Sequence, residues 1–476
     1  MKQLSRTARA ATLMCSLTGA LALVAPASQA QPTSAAPAYT EAAQIAEDAY
    51  IYGYPLVLMD LTRKQTLANA NLKPNQFSHS NRLATSADRT VVRPNVDTLY
   101  STAWLDLSKG AVVLQVPATQ RYYVMQMLDA YTNVFAAPGA RTTGTGANQF
   151  LIAGPNFKGP VPDRMTRIDA PTDMVWLLGR LQVNGPHDVP AATEVQLQFS
   201  LRDANQPVPF PQRSSGEALG GGNAKGQTPP ELVARMDTQT YFDRLAALLK
   251  ANPPPQADAP ALAHFATIGL KPGQTFSPSA EQRTAVTAAL PRARKRLVES
   301  ATRIAEPVNG WQVVRSEIGT YGTNYDRRAA VAVYGLGANL PEDAVYPGTH
   351  VDGQNQTLTG KRRYTVRFNT GKQPPAKAFW SLTLYDKDGY LVQNSINRYA
   401  LGDRDKLLVN PDGSVDILIQ HEPTSAERTS NWLPAPDGEF SLLMRIYSPK
   451  PEVLNGQWMP PPVRPAEIPL RPAAAR

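Results

Sequence analysis

The sequence is almost without cysteine: one residue in 476, Cys15, and none after it. That absence excludes disulfides, thiolate metal sites and a thiol nucleophile. No stretch approaches the roughly 20 apolar residues that a membrane-spanning helix needs, so no membrane span is expected. The sequence also lacks a G-x-S-x-G elbow, an H-E-x-x-H pair, a Walker loop and a G-x-G-x-x-G placed between strand and helix. GLGAN at 335–339 carries only half of that last spacing and reads as a helix stop. The five histidines, His79, His187, His264, His350 and His421, fall in separate segments with no i, i+4 or H-x-H spacing. A histidine metal site is therefore not expected; no loop has the EF-hand spacing, although carboxylate-bound calcium stays open. Charge of one sign is scarce too. The surplus of +9 is small for the length, and the clusters ARKR (293–296) and KRR (361–363) read as solvated faces, which argues against a nucleic-acid partner.

What is present begins with a leader. Lys2, Arg6 and Arg9 precede the apolar run ATLMCSLTGALALVAPA and the small residues around Ser28 and Ala30, the order of a secretory signal peptide. Met14 stands where a lipoprotein signal wants a small residue, so lipid attachment at Cys15 is not expected. Cleavage near Ala30 would remove three cations and no acid, lower the surplus to +6, and deliver a soluble chain to the periplasm or beyond. What is left is long enough for roughly two or three domains.

The expected order is a signal peptide (1–30), a linker (31–39), a helical segment and loop (40–96), a β-sandwich (97–187), a mostly helical module (188–340), a second β domain (341–465) and a tail (466–476). The class is mainly β with a helical module, an α+β multi-domain chain. Thr40 caps a helix beginning TEAAQIAEDAYIYGYPLVL, which Pro55 is expected to kink or split. From 97 the apolar period changes to two, in TLYSTAWLDL, AVVLQVP, RYYVMQML and MVWLLGRLQV, the signature of a sandwich or barrel of short strands. DVPAATEVQLQFSL mixes both periods. Thr228, with Glu231 three residues on, has capping-box spacing, and Ser277 followed by Pro278 reads as a second helix start. YDRRAAVAVYG adds one more helix. Strands return in RRYTVRFN, AFWSLTLYD, VDILIQ and FSLLMRIYS, and the proline-rich end should be extended.

Polar density inside the β segments marks the candidate site. RPNVDTLYS (93–101) crowds an arginine, an amide, a carboxylate, a phenol and two hydroxyls around one valine and one leucine. On a strand from Asp97, alternation sends Asp97, Leu99 and Ser101 to one face and Thr98, Tyr100 and Thr102 to the other. A second cluster holds Tyr123, Asp129 and Arg141; a third holds Asn394, Arg398, Asn431 and Trp432. Asp97 and Asp129 are candidate partners for Arg93 or Arg141, as structural ion pairs or as part of an anion clamp.

The stretches RPNVDTLYSTAWLDLS and RYYVMQMLDAYTNVFAAPGARTTG resemble the domain-of-unknown-function family 1254. FWSLTLYDKDGYLVQNSINRYALGDRD, DGSVDILIQHEP and NWLPAPDGEFSLLMRIYSPKPEVLNGQW resemble the companion family 1214. The resemblance spans most of residues 40 to 465, and the two families commonly share one secreted bacterial chain. It implies an N-terminal helical piece, a β-sandwich, a central helical insertion and a jelly-roll-like β domain. Its motif positions fall on Asn95, Asp97, Thr98, Tyr100, Ser101, Asp129, Asn133, Gly139 and Arg141, then on Asn394, Arg398, Tyr399, Asp403, Asn431, Trp432 and Pro434. It implies no activity.

Two readings of function stand. One is a metal-independent hydrolase or lyase without cofactor, acting on a small or sugar-like anionic substrate. Asp97 or Asp129 would then be the acid or base, Tyr100 or Tyr123 the proton donor, and Arg93, Arg141 or Arg398 the anion clamp, with Asn95, Asn394, Asn431 and Trp432 touching ligand. The other is a non-catalytic envelope protein that binds a small molecule or carbohydrate or assembles with itself as a homo-oligomer. Convergence of the polar residues on one reachable cleft favours a site; sealed, separate pairs favour bracing.

Overall fold

The structure, a computed structural model, describes residues 40–89, 91–216 and 226–466. The leader, the linker, the glycine-rich stretch 217–225 and all but the first residue of the tail lie outside the described residues. About 28% of the chain is helical and 26% is strand, so the class is mixed α and β rather than mainly β.

The first helix, Glu41–Ala70, is capped as expected, with Thr40 accepting from the Ala43 amide. It is neither split nor ended at Pro55. Proline removes the amide that the Ile51 carbonyl would accept, a loss of about 3 kcal/mol in an exposed helix. Here every residue from Ala49 to Leu61 is buried, so neighbours hold the helix on all sides. The flanking carbonyls of Tyr50 and Tyr52 also accept from the Tyr241 hydroxyl (2.8 Å) and from Arg328 (3.1 Å).

Two sheets form the N-terminal β region. One has six strands, in the order Arg213–Ser215, Ser78–Ser80, Thr98–Asp106, Met174–Gln182, Tyr123–Leu128 and Val134–Ala136. The other has four: Thr166–Asp169, Asn148–Ala153, Val112–Val116 and Ser200–Asp203. Leu99, Ala103, Leu105, Leu114, Phe150 and Leu177 share one apolar cluster between them. On the opposite face of the larger sheet, Trp104, Tyr100, Trp176 and Leu178 lie against the cluster built on the first helix. The two-residue alternation is thus realised: Leu99 faces the intersheet core, and Tyr100 faces the rest of the molecule.

The mixed stretch after 188 becomes both things it resembled, a helix (Val189–Gln196) and then a strand (Ser200–Asp203). The Thr228 capping box forms with Glu231. The long helix Ala280–Thr302 starts two residues later than expected, because Ser279 and not Ser277 is its cap and Gln282 closes the box. Tyr325–Gly335 is helical as read, and the chain turns at Gly337 with φ +83°, so GLGAN does end a helix.

The C-terminal β region again has two sheets around one apolar cluster. Glu306–Val308, Trp311–Val313, Gly348–Thr349, Phe440–Pro449, Ala376–Asp386 and Ala400–Gly402 follow one another in the larger, with Ala344–Val345 also paired to Phe440–Pro449. The smaller consists of Trp432–Pro434, Val415–Gln420, Tyr364–Phe368 and Arg464–Pro465. Along Phe440–Pro449 the even residues Leu442, Met444 and Ile446 fill the intersheet cluster. The odd residues Leu443 and Tyr447 pack elsewhere, Tyr447 against the cluster that holds Trp104 and Leu178. Two faces of opposite ends of the sequence thereby meet.

Candidate ligand-binding site

The meeting face is polar where the strands themselves are apolar. In MVWLLGRLQV the alternation places Arg180 beside Tyr100, its direct partner across the strand pair, and beside Val124 on the other side. In FSLLMRIYS it places Arg445 between Leu443 and Tyr447 on the face turned from the intersheet core. Both arginines are buried, at 7% and 3% exposure, and among the described residues neither forms an ion pair with a carboxylate. Arg180 donates from one terminal nitrogen to the Gly337 carbonyl at 3.1 Å, while its Nε and its other terminal nitrogen, both buried, make no hydrogen bond of good geometry, and the Tyr100 ring lies 5.4 Å from the guanidinium with its hydroxyl acting on the charge. Arg445 is better satisfied, donating to Thr383 Oγ1 (2.8 Å), the Tyr385 hydroxyl (2.7 Å) and the Arg93 carbonyl (3.1 Å).

Both line a cavity of about 350 Å³, together with Arg93, Asn95, Thr98 and Tyr100 from RPNVDTLYS and with residues of 314–346. Val92 and Tyr334, 57% and 47% exposed, place its rim at the surface. Among the described residues four arginines line it and no acidic residue or histidine does. One of the four, Arg82, is already paired with Asp88. Arg93 has φ +54°, a conformation disfavoured for any side chain with a Cβ, and is held there by its amide bonding to the Gly389 carbonyl at 2.7 Å.

The crowding at 93–101 now has its account, because that stretch serves two masters. Asn95 Nδ2 lies 2.7 Å from the Tyr447 hydroxyl and 3.1 Å from those of Tyr100 and Thr98, fixing the cavity wall. Asp97 turns the other way and is 2% exposed. It accepts from Ser381 Oγ at 2.6 Å and pairs with Arg404, which also donates to the Val183 carbonyl at 2.6 Å. Asp97 is thus a sealed clasp between the two β regions, and its partner is neither Arg93 nor Arg141. Arg141 makes a two-pronged pair with Asp343 at 2.7 and 2.8 Å, a second clasp.

The remaining candidates are not brought to the cavity. Asp129 is buried in its own turn, accepting from the amides of Tyr131 (2.9 Å) and Asn133 (2.8 Å) and from Asn133 Nδ2 (3.0 Å). Burial raises its carboxyl to about 6, against the pull of those bonds. The Tyr123 hydroxyl bonds the Gly144 carbonyl. Asn394 spans its loop through the Val392 and Arg398 carbonyls and the Arg398 amide. Arg398 ties down the Thr429 and Trp432 carbonyls, Asn431 both polar groups of Leu408, and the Trp432 indole the Gln420 carbonyl. These four brace one corner of the C-terminal region.

Sequence reasoning missed Arg180, Arg445, Tyr346 and Asn339. The signal was there for the first two: a guanidinium in the middle of an apolar strand must find a polar face or a ligand. Tyr346 is pushed up to about 12 by burial, with Arg180 pulling it back, and burial likewise holds Tyr447 well above the ordinary phenol range. Both stay protonated near neutral pH. The cavity therefore offers cations, neutral hydroxyl groups and the amides of Asn95 and Asn339, with no carboxylate base among the described residues.

Models of two families match the chain, one described as protein of unknown function (DUF1254) at residues 74–203 and one as protein of unknown function (DUF1214) at 343–451. Arg93, Tyr100 and Arg180 fall in the first match and Tyr346 and Arg445 in the second. Among solved structures, the VPA0106 protein from Vibrio parahaemolyticus is 24% identical with a TM-score of 0.70, over 90% of this chain and 100% of that one, a likeness of fold alone. A protein from Burkholderia cenocepacia is 12% identical with a TM-score of 0.42, over 90% of this chain and 94% of that one, and carries no argument. No curated protein matches the chain.

Proposed function

Because the chain joins DUF1254 and DUF1214 in one molecule, we propose that the pair exists to build a shared receptor for a small organic anion. The observation that carries this is the placement of Arg180 and Arg445, one from each family region, against one cavity with no bonded carboxylate. A buried cation without a counter-charge is expensive, and an anionic ligand supplies the missing charge. Tyr100 and Asn95 add hydrogen-bonding groups at the same wall. Capture is favoured over acid–base hydrolysis by the lining, which among the described residues has no carboxylate or histidine to move a proton near neutral pH. With the leader at 1–30, the setting is the periplasm or the exterior. The same proposal reads the N-terminal region as a sandwich and the C-terminal region as jelly-roll-like, supported by the two sheets and single apolar cluster in each.

Thermal unfolding of the chain lacking its leader, with and without a panel of acetate, phosphate, sulfate and their neutral analogues, tests it. Anions should raise Tm in a saturable way, neutral analogues should not, and Arg180→Met should abolish the shift. Equal shifts in wild type and Arg180→Met, or none in wild type, would remove the proposal.

A further inference from the structure

The cavity is not uniformly polar. Its most buried cations, Arg180 and Arg445, come from the two β regions, and the segment that links them adds an apolar strip, Val314, Ile318, Val331 and Leu336, beside the polar groups of Tyr334, Asn339 and Tyr346. Cations and strip are contiguous, since the Arg180 guanidinium bonds the carbonyl of Gly337, the residue after Leu336. Val314, Ile318 and Val331 belong to one small apolar cluster, with Val331 buried and the other two partly so. Apolar surface of this kind gains by being covered, and the gain scales with the area removed from water. A simple inorganic anion would leave it wet.

We infer that the ligand is an amphipathic monoanion, a carboxylate with an unbranched apolar tail, its head on Arg180 and its tail along Val314, Ile318, Val331 and Leu336. This rests on the anion-receptor reading and narrows it to a ligand class. Two Arg180 nitrogens that make no hydrogen bond of good geometry, beside the Tyr100 hydroxyl, place the head there rather than on Arg445, whose donors are already taken by Thr383, Tyr385 and the Arg93 carbonyl. A cavity of about 350 Å³ is at the lower end of small-molecule pockets, so the tail must be short.

Calorimetric titration of the leaderless chain with acetate, butanoate, hexanoate, octanoate and decanoate, and with octanol as the uncharged control, tests the assignment. Affinity should rise roughly two- to fourfold per added methylene and then level off when the cavity is full. Octanol should not bind measurably. Arg180→Met should lose every carboxylate, whereas Ile318→Ser should keep acetate binding and flatten the dependence on tail length. Acetate binding as tightly as octanoate would overturn the amphipathic assignment and leave the anion reading standing. Octanol binding as tightly as octanoate, or no carboxylate binding at all, would overturn both.

Discussion

The junction between the two β regions is built in two ways, and the contrast separates glue from site. At Asp97–Arg404 and Arg141–Asp343 each buried carboxylate has a guanidinium bonded to it and every charge is answered. Along the same junction, Arg180 and Arg445 are as deeply buried and have no carboxylate bonded to them. Answered charges fix the relative position of two surfaces. Guanidinium groups with no carboxylate bonded to them, gathered at a cavity whose rim reaches the surface, leave room for an anion, with Arg445 still within the field of Asp97.

Breaking a clasp should have the largest effect. Asp97→Ala leaves Arg404 without its counter-charge, and urea unfolding should show a loss of about 3 to 5 kcal/mol. Adding Arg404→Met should recover a substantial part. A loss below about 1 kcal/mol for the single variant would mean that the clasp is ornamental. Asp129 supplies the inverse case, a buried carboxylate with no guanidinium bonded to it. Its folded-state carboxyl sits near 6 against an ordinary 3.8, so between those values the folded chain holds a proton that the unfolded chain has released. Stability from this group is therefore lost as pH rises through that window, by about 3 kcal/mol in all. Asp129→Asn should flatten the slope of unfolding free energy between pH 4 and pH 6; an unchanged slope would refute the assignment.

Replacing a cation that no carboxylate bonds should act in the opposite direction to replacing a clasp. Arg180→Met should leave the ligand-free protein as stable as wild type or more so by about 1 to 2 kcal/mol, because it removes a desolvated charge and keeps the volume. If it cost more than about 2 kcal/mol, Arg180 would belong with the clasps. The smallest effect is expected at the brace in the C-terminal corner. Asn394→Ala should cost about 1 kcal/mol by freeing the Arg398 amide and carbonyl, with the anion-induced Tm shift untouched. A vanished shift would connect that corner to the cavity.

Local rules carried much of the fold. The capping box at Thr228, the helix at Tyr325–Gly335 and the strand alternation at Leu99 and Tyr100 depend on neighbours a few residues away, and they stand as the sequence spells them. Ser279 was legible too, since Gln282 lies at box spacing, but Ser277 with its proline competed for the same start. Pro55 misled because its penalty is local while the burial that outweighs it comes from Tyr241, Leu245 and Arg328, far along the chain. Of the candidate residues, Arg93, Asn95 and Tyr100 reach the cavity, whereas Asp97 sits within the same nine residues and faces away from it. Alternation separates Tyr100 from Asp97, but Arg93 and Asn95, of the same parity as Asp97, reach the cavity from the irregular stretch before the strand. Which face would be sealed was not predictable.

By itself the sequence determined the positions of most helices and strands and the polar stretch worth attention. These follow from periodicity, caps and turns, which act over one or two turns of chain. Only the tertiary structure decided that Arg180 and Arg445, 265 positions apart, share a cavity, and that Asp97 is bonded to Arg404 while no carboxylate among the described residues bonds to them. The reason is physical: a charge's meaning depends on what burial takes from it and what its neighbours return, and in this chain those neighbours lie hundreds of residues away.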